Sequence, residues 1–420
     1  MTDRPEESFP PTAEPSVSIE PLTDRPEYES AIREIIQIAE SFGLSLFDIF
    51  FRNATKDNLS FMASFGLPNR FSHWYFGGLY KSLKIQQDKN LMSILELVLN
   101  TDPVYAFLLD TNSHLENLMV IAHVMGHVDF FKNNTWYVRS DRNILNHCEQ
   151  HARRIKAFKE ECGSAVIDEY IEAALTVSNT VTPFEKDESK KQKRIIYFFT
   201  EATRARAKAL KKSDPRKRQF RVRHEILDMM SREMEYFDLI GKTQIINEGW
   251  ASFVEFKILE KLLDPAAWME YSLHFSKRPP PYLIGFSLFN DNFRKGGWDK
   301  VLEIRRYYED ISYIDHFMTQ ELVQDLDLFV VDRESKEKDY SVGKVKAKIV
   351  EEKLTRGAPQ VIVKDLDRNT LALVLTNQDP KRTLEKDRTD LFLKKLHTIW
   401  PYEITILDGD ITHKVRPQSS

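Results

Sequence analysis

Apolar residues recur at helical spacing along most of the chain up to about residue 320, which predicts a succession of helices with few alternating stretches. From Tyr28 the residues Ile32, Ile35, Ile36, Ile38, Ala39 and Phe42 form one such stripe, stopped by Gly43 and resumed at Leu44. A short strand over Ala106 to Leu109 stays open as an exception. The stretch from Leu118 to Asn134 is apolar on several sides through Leu118, Met119, Ile121, Val124, Met125 and Val128, so its helix is expected to be buried. Ser113 and Glu116 give it an S-x-x-E capping box.

The pattern changes near Leu322. Strands are expected at Leu328 to Val331, Gln360 to Val363, Thr370 to Leu375 and Tyr402 to Leu407. Helices are expected at Val342 to Leu354, closed by Gly357, and at Leu384 to Ile399. The order β-α-β-β-α-β predicts a small ferredoxin-like unit. Residues 1–25 are proline-bearing and polar and read as a disordered arm. The expected class is α+β: a mainly α-helical domain over residues 26–321 and a small α/β domain over 322–420.

Charge changes this picture in one place. The whole chain balances 60 basic against 64 acidic residues, which argues against a protein given over to nucleic acid or membrane surfaces. Between residues 186 and 223, however, there are 15 basic residues, read as a solvated insertion with a loop at Asp214-Pro215 rather than a nucleic-acid grip. Two cysteines, Cys148 and Cys162, exclude a disulfide framework and fit a reducing compartment. The first ten residues lack the basic and apolar regions of a secretory signal, and no window approaches 18 apolar residues, so a soluble cytoplasmic protein is expected.

The candidate chemistry sits in the apolar helix. His123 and His127 are four apart and share a face, so both imidazoles can close on one metal ion. The spacing is that of the zinc-peptidase signature H-E-x-x-H, but the general-base position is Val124. A third ligand is available in Glu248, on a helix starting near Gln244 with Gln244, Glu248 and Ser252 on one face. Two histidines and a glutamate make a zinc ligand set with one open position, and zinc or another divalent transition metal is the expected cofactor. The bland alternative is a set of hydrogen-bonded core residues. A second H-x-x-x-H, His147 and His151, precedes Arg153, Arg154 and Lys156 and reads as a solvated face. His73 to Gly78 is an aromatic corner ending in paired glycines, either packing or lining a cleft.

Several ordered blocks resemble the stage V sporulation protein R (SpoVR) family. They include His73-Trp74-Tyr75-Phe76-Gly77, Asn100-Thr101-Asp102-Pro103, Val120-Ile121-Ala122-His123, Gly126-His127, Asp129 to Asn134, Asn247-Glu248-Gly249-Trp250-Ala251 and Tyr282-Leu283-Ile284-Gly285-Phe286. The resemblance implies a role in spore cortex formation or stress response, often beside a PrkA-type serine protein kinase, with no reaction assigned. A cell-wall precursor is the substrate class it points to. Glu-Gly-Trp-Ala is also similar to the glutamate-ligand segment of gluzincin-like peptidases, so the helices are expected to form a gluzincin-like metal site. The resemblance makes His151 a further candidate ligand and places His274, Arg278 and Tyr282 at the pocket rim, against the alternative of a proline-rich connection without chemistry. Two functions stand side by side. One is a metal-dependent hydrolase, peptidase or amidase-like, with His123, His127 and Glu248 as ligands and Asp129 or Glu225 as the catalytic base. The other is a non-catalytic interaction component of a kinase-linked pathway.

Overall fold

The computed structural model describes residues 25–67, 70–73, 96–181, 187–331, 336–355, 359–378 and 382–416. The arm at residues 1–24, the aromatic block from Trp74 to Gly78 and the helix stop at Gly357 lie outside them. The described chain is mainly helical, with a strand-containing region at its C-terminal end.

Two helices organise the first core. The histidine helix runs His114–Asn133, and its capping box is fully formed: Glu116 N donates to Ser113 Oγ at 3.1 Å, and Ser113 N donates to Glu116 Oε2 at 2.7 Å. Every residue from Asn117 to Phe131 is buried, as an all-round apolar helix requires. The glutamate helix, Gln244–Leu262, crosses it, and Pro280–Tyr307, broken at Gly297 (φ 62°), packs on the glutamate helix in turn. Glycines set both crossings. A Cβ on Gly126 would stand 2.5 Å from Ala251 Cα, and one on Gly249 would stand 2.3 Å from Gly285 Cα. No side chain fits between backbones that close.

The N-terminal region also holds a three-stranded sheet. Val104–Leu109 lies in its middle, parallel to Ile49–Ala54 and antiparallel to Glu96–Leu99. Of these, only the strand ending at Leu109 was anticipated by the apolar pattern.

The loop expected at Asp214-Pro215 is the short connection 210–214, and the basic run on either side of it is helical. Its apolar positions fall on one face of two helices, Ile195–Ala209 and Pro215–Lys242, and Asp214 starts the second by accepting from Arg216 N at 2.9 Å with Pro215 in the first turn. Ile195, Ile196, Phe199, Phe220 and Ile226 build a second core shared with Leu373, Leu375 and Ile406 of the C-terminal sheet and with Leu396 and Trp400 of the helix Lys386–Ile399 and its C-cap. That sheet has four strands in the order Val361–Leu366, Leu373–Asn377, Ile404–Asp408, Ile411–Val415, with only the middle pair parallel. It therefore differs from the β-α-β-β-α-β expectation. Val330–Val331 pairs with Lys338–Asp339 outside the sheet, and Ile411–Val415 adds a closing hairpin. Helix Val342–Thr355 packs on Asp310–Phe317 of the helical region rather than on the sheet.

Candidate metal centre

Helical spacing puts His123 and His127 one above the other on the histidine helix, and the Gly126–Ala251 crossing brings the glutamate helix against that face. Glu248 Oε2 stands 3.6 Å from His123 Nε2 and 3.5 Å from His127 Nε2. All three donor atoms lie within 4.8 Å of one another, and this is the only such group of three metal-ligating side chains found among the described residues. The two distances are too long for hydrogen bonds. They match the geometry of a shared ion, since ligands about 2.1 Å from a tetrahedral centre stand roughly 3.4 Å apart. Glu248 Oε2 is buried without a hydrogen-bond partner, so the residues present fit a cation.

The other ring nitrogens are already committed. His123 Nδ1 lies 2.7 Å from Glu255 Oε2, and His127 Nδ1 lies 3.0 Å from Asn247 Oδ1. Both partners act as acceptors toward a ring protonated on Nδ1, which leaves Nε2 of each ring on the side of Glu248. This is the outer support that metal-binding histidines ordinarily have. Burial works against the charge on Glu255, but the Arg278 guanidinium and His123 outweigh it and hold the carboxyl below the ordinary glutamate range. Glu248 behaves alike: burial opposes its charge, and His127, His123 and a hydrogen bond from Tyr282 more than offset it.

Aromatic rings wall the site. Tyr282 stacks on His123 with centroids 5.9 Å apart, and Phe131 stacks on His127 at the same separation. The Glu248 side chain keeps one-fifth of its surface accessible, but its Oε2 and both histidines are buried. A cavity of about 690 Å³ opens farther along, at the N-terminal end of the glutamate helix, lined by Gln244, Ile245, Asp310 and Lys353. The three donors do not line it.

The remaining candidates lie elsewhere. Asp129 is two positions beyond His127, a turn of about 200° on a helix, and its carboxylate faces away. It accepts from Ser45 N at 2.9 Å and Trp250 Nε1 at 3.0 Å and pairs with Arg305 Nε at 2.9 Å. Burial pushes its carboxyl up to about 6 against the pull of Arg305. Glu225 pairs with Arg154 at 2.7 Å and Arg221 at 3.7 Å. His151 joins Glu233 at 2.8 Å, in a buried cluster with Arg70, and His147 joins Asp141 at 2.6 Å. The structure thus unites His123, His127 and Glu248 and leaves Asp129, Glu225 and His151 outside the group. His73 is buried, 4.0 Å from Asp168. Of the expected rim, Tyr282 and Arg278 reach the site. Sequence reasoning passed over Glu255 and Asn247; Glu255 lies seven positions after Glu248, on the face already marked by Gln244, Glu248 and Ser252.

The family model described as SpoVR like protein matches residues 23–221 and 210–357, which takes in the histidine helix, the glutamate helix and Tyr282. The chain belongs to the SpoVR family. The SpoVR match ends where the four-stranded sheet is about to begin. Among curated proteins, the Escherichia coli (strain K12) "Uncharacterized protein YcgB" is 21% identical over 492 residues, covering 92% of this chain and 93% of its own length. No solved structure matches. The SpoVR assignment is to a sporulation-related family. No helix among the described residues is long and apolar enough to cross a membrane.

Proposed function

We propose that this SpoVR-family chain holds zinc or another divalent transition metal between His123, His127 and Glu248, and acts as a metal-dependent hydrolase on an amide or peptide bond. The observation that carries the reading is the arrangement of the two imidazoles: each is anchored through Nδ1, and both turn Nε2 toward one buried carboxylate oxygen. When bound, the ion would supply Lewis acidity, polarising a carbonyl and acidifying a water. The chain's own part is to orient the rings through Glu255 and Asn247 and to wall off water with Phe131 and Tyr282. Tyr282 sets a phenolic hydroxyl beside Glu248, where it would serve as a proton donor in the reaction. The likeness of these helices to gluzincin peptidases, a cell-wall precursor as substrate and a setting in stress response belong to the same proposal.

One observation favours a second reading. Val124, at the general-base position, is fully buried in the apolar core, and neither Asp129 nor Glu225 reaches the donors. On that reading the ion is structural and the chain is an interaction component of a PrkA-type kinase pathway. Cobalt substitution tests the first step: bound Co²⁺ is expected to give the intense visible absorption of a four-coordinate site, lost in His123→Ala. A Tyr282→Phe variant that keeps the cobalt spectrum but loses amide hydrolysis supports the enzyme; cobalt-loaded protein inert toward peptide and cell-wall amides supports the second reading.

A further inference from the structure

The face of the glutamate helix that carries Glu248 continues through Ser252 to Glu255, at i+4 and i+7. Glu255 is fully buried and Ser252 is too. Both are gripped by Arg278, which donates to Ser252 Oγ at 2.7 Å and to both Glu255 oxygens at 2.7 and 2.5 Å. Only 14% of the Arg278 side chain is accessible. A buried ion pair is weak evidence for stability, because apolar residues of similar size usually serve the fold as well or better. This pair sits among the rings of Phe275, Tyr282 and Tyr271.

Its position supplies the missing reason. The same Glu255 Oε2 that Arg278 holds is the acceptor for His123 Nδ1. Arg278 also stands immediately before Pro279, Pro280 and Pro281, whose fixed backbone leads directly into Tyr282 over the His123 ring. One guanidinium therefore ties the support of a candidate ligand to the turn that delivers the tyrosine.

We infer that Glu255 and Arg278 are positioning residues of the metal centre: Glu255 fixes the His123 tautomer and ring orientation, and Arg278 fixes Glu255 together with the Tyr282 turn. The inference rests on the metal-centre reading. Outer partners of this kind contribute about 10–100-fold in metal affinity.

The test uses the full chain and Co²⁺, with affinity from chelator competition, in wild type, Glu255→Gln and the apolar double variant Glu255→Leu/Arg278→Met. Thermal midpoints and ¹⁵N resonances of the His123 ring are recorded without metal. The double variant is expected to keep or raise the midpoint, to bind Co²⁺ 10–100-fold more weakly, and to lose the Nδ1-protonated tautomer that wild type shows. Glu255→Gln keeps an acceptor and is expected to lose less. A double variant with wild-type affinity and tautomer overturns the inference while leaving the metal centre standing. A wild type that takes no Co²⁺ overturns both, and a double variant that unfolds shows the pair to be structural and overturns the inference alone.

Discussion

Gly126 and Ala251 touch backbone to backbone, with the place of a Cβ on Gly126 only 2.5 Å from Ala251 Cα. Gly126 lies between the two histidines, and Ala251 lies one turn after Glu248, so this contact sets how near the imidazoles come to the carboxylate.

Gly126→Ala is therefore expected to destabilise the fold, although alanine favours an isolated helix by about 1 kcal/mol. Overpacking against backbone costs about 1–3 kcal/mol and cannot be relieved by a rotamer change. Denaturant titration should show a lower midpoint, and the variant should bind metal less tightly. A midpoint at or above wild type would mean that the helices can part without cost.

Asp129→Asn separates structure from chemistry. Asp129 is the counter-charge of the buried Arg305, and removing one partner of a buried pair costs about 3–5 kcal/mol. The folded variant should nevertheless bind one metal ion per chain, since the carboxylate faces Trp250 rather than the histidines. Loss of metal without loss of stability would reverse that assignment.

Val124→Glu, which restores H-E-x-x-H in sequence, is expected to yield a destabilised protein rather than a peptidase. Val124 is fully enclosed by the core, and a carboxylate there pays the cost of leaving water. Gain of peptide hydrolysis at unchanged thermal midpoint would contradict this placement.

Asp310 gives the pH dependence a sign. It accepts from Ile246 N at 2.9 Å, capping the helix of Asn247 and Glu248, and pairs with Lys353 at 2.7 Å. Burial nonetheless pushes its carboxyl up to about 6 from the ordinary 3.8. The folded state thus binds this proton more tightly than the unfolded state. Its contribution is full below about pH 4 and fades as pH rises through about 6, a change of up to about 3 kcal/mol. The stability of wild type minus that of Asp310→Asn should fall across this window in parallel denaturant titrations; a flat difference would contradict the shift.

The sequence made some of this legible for definite reasons. The His123–His127 spacing, the Ser113–Glu116 cap and the unbroken apolar surround of their helix are local, and the structure keeps all three. Glu248 was legible through its motif. The partnership of His123 with Glu255 was not, because 132 positions separate them and a glutamate on a helix reads as solvated. The core-facing side of the 186–223 run was hidden for a related reason: its charges are conspicuous, but Ile195, Phe199 and Phe220 between them decide its packing. The C-terminal sheet escaped the β-α-β-β-α-β pattern because Leu328 to Val331 contributes only a two-residue strand and Ile411 to Val415 alternates too weakly to announce itself.

Metal content by mass spectrometry, on purified wild type and on His127→Ala, Glu248→Ala and His151→Ala, decides whether His123, His127 and Glu248 hold an ion. About one transition-metal ion per chain is expected in wild type and in His151→Ala, and loss of that ion in the other two. An ion that persists in both His127→Ala and Glu248→Ala, or that leaves only with His151, would contradict that expectation.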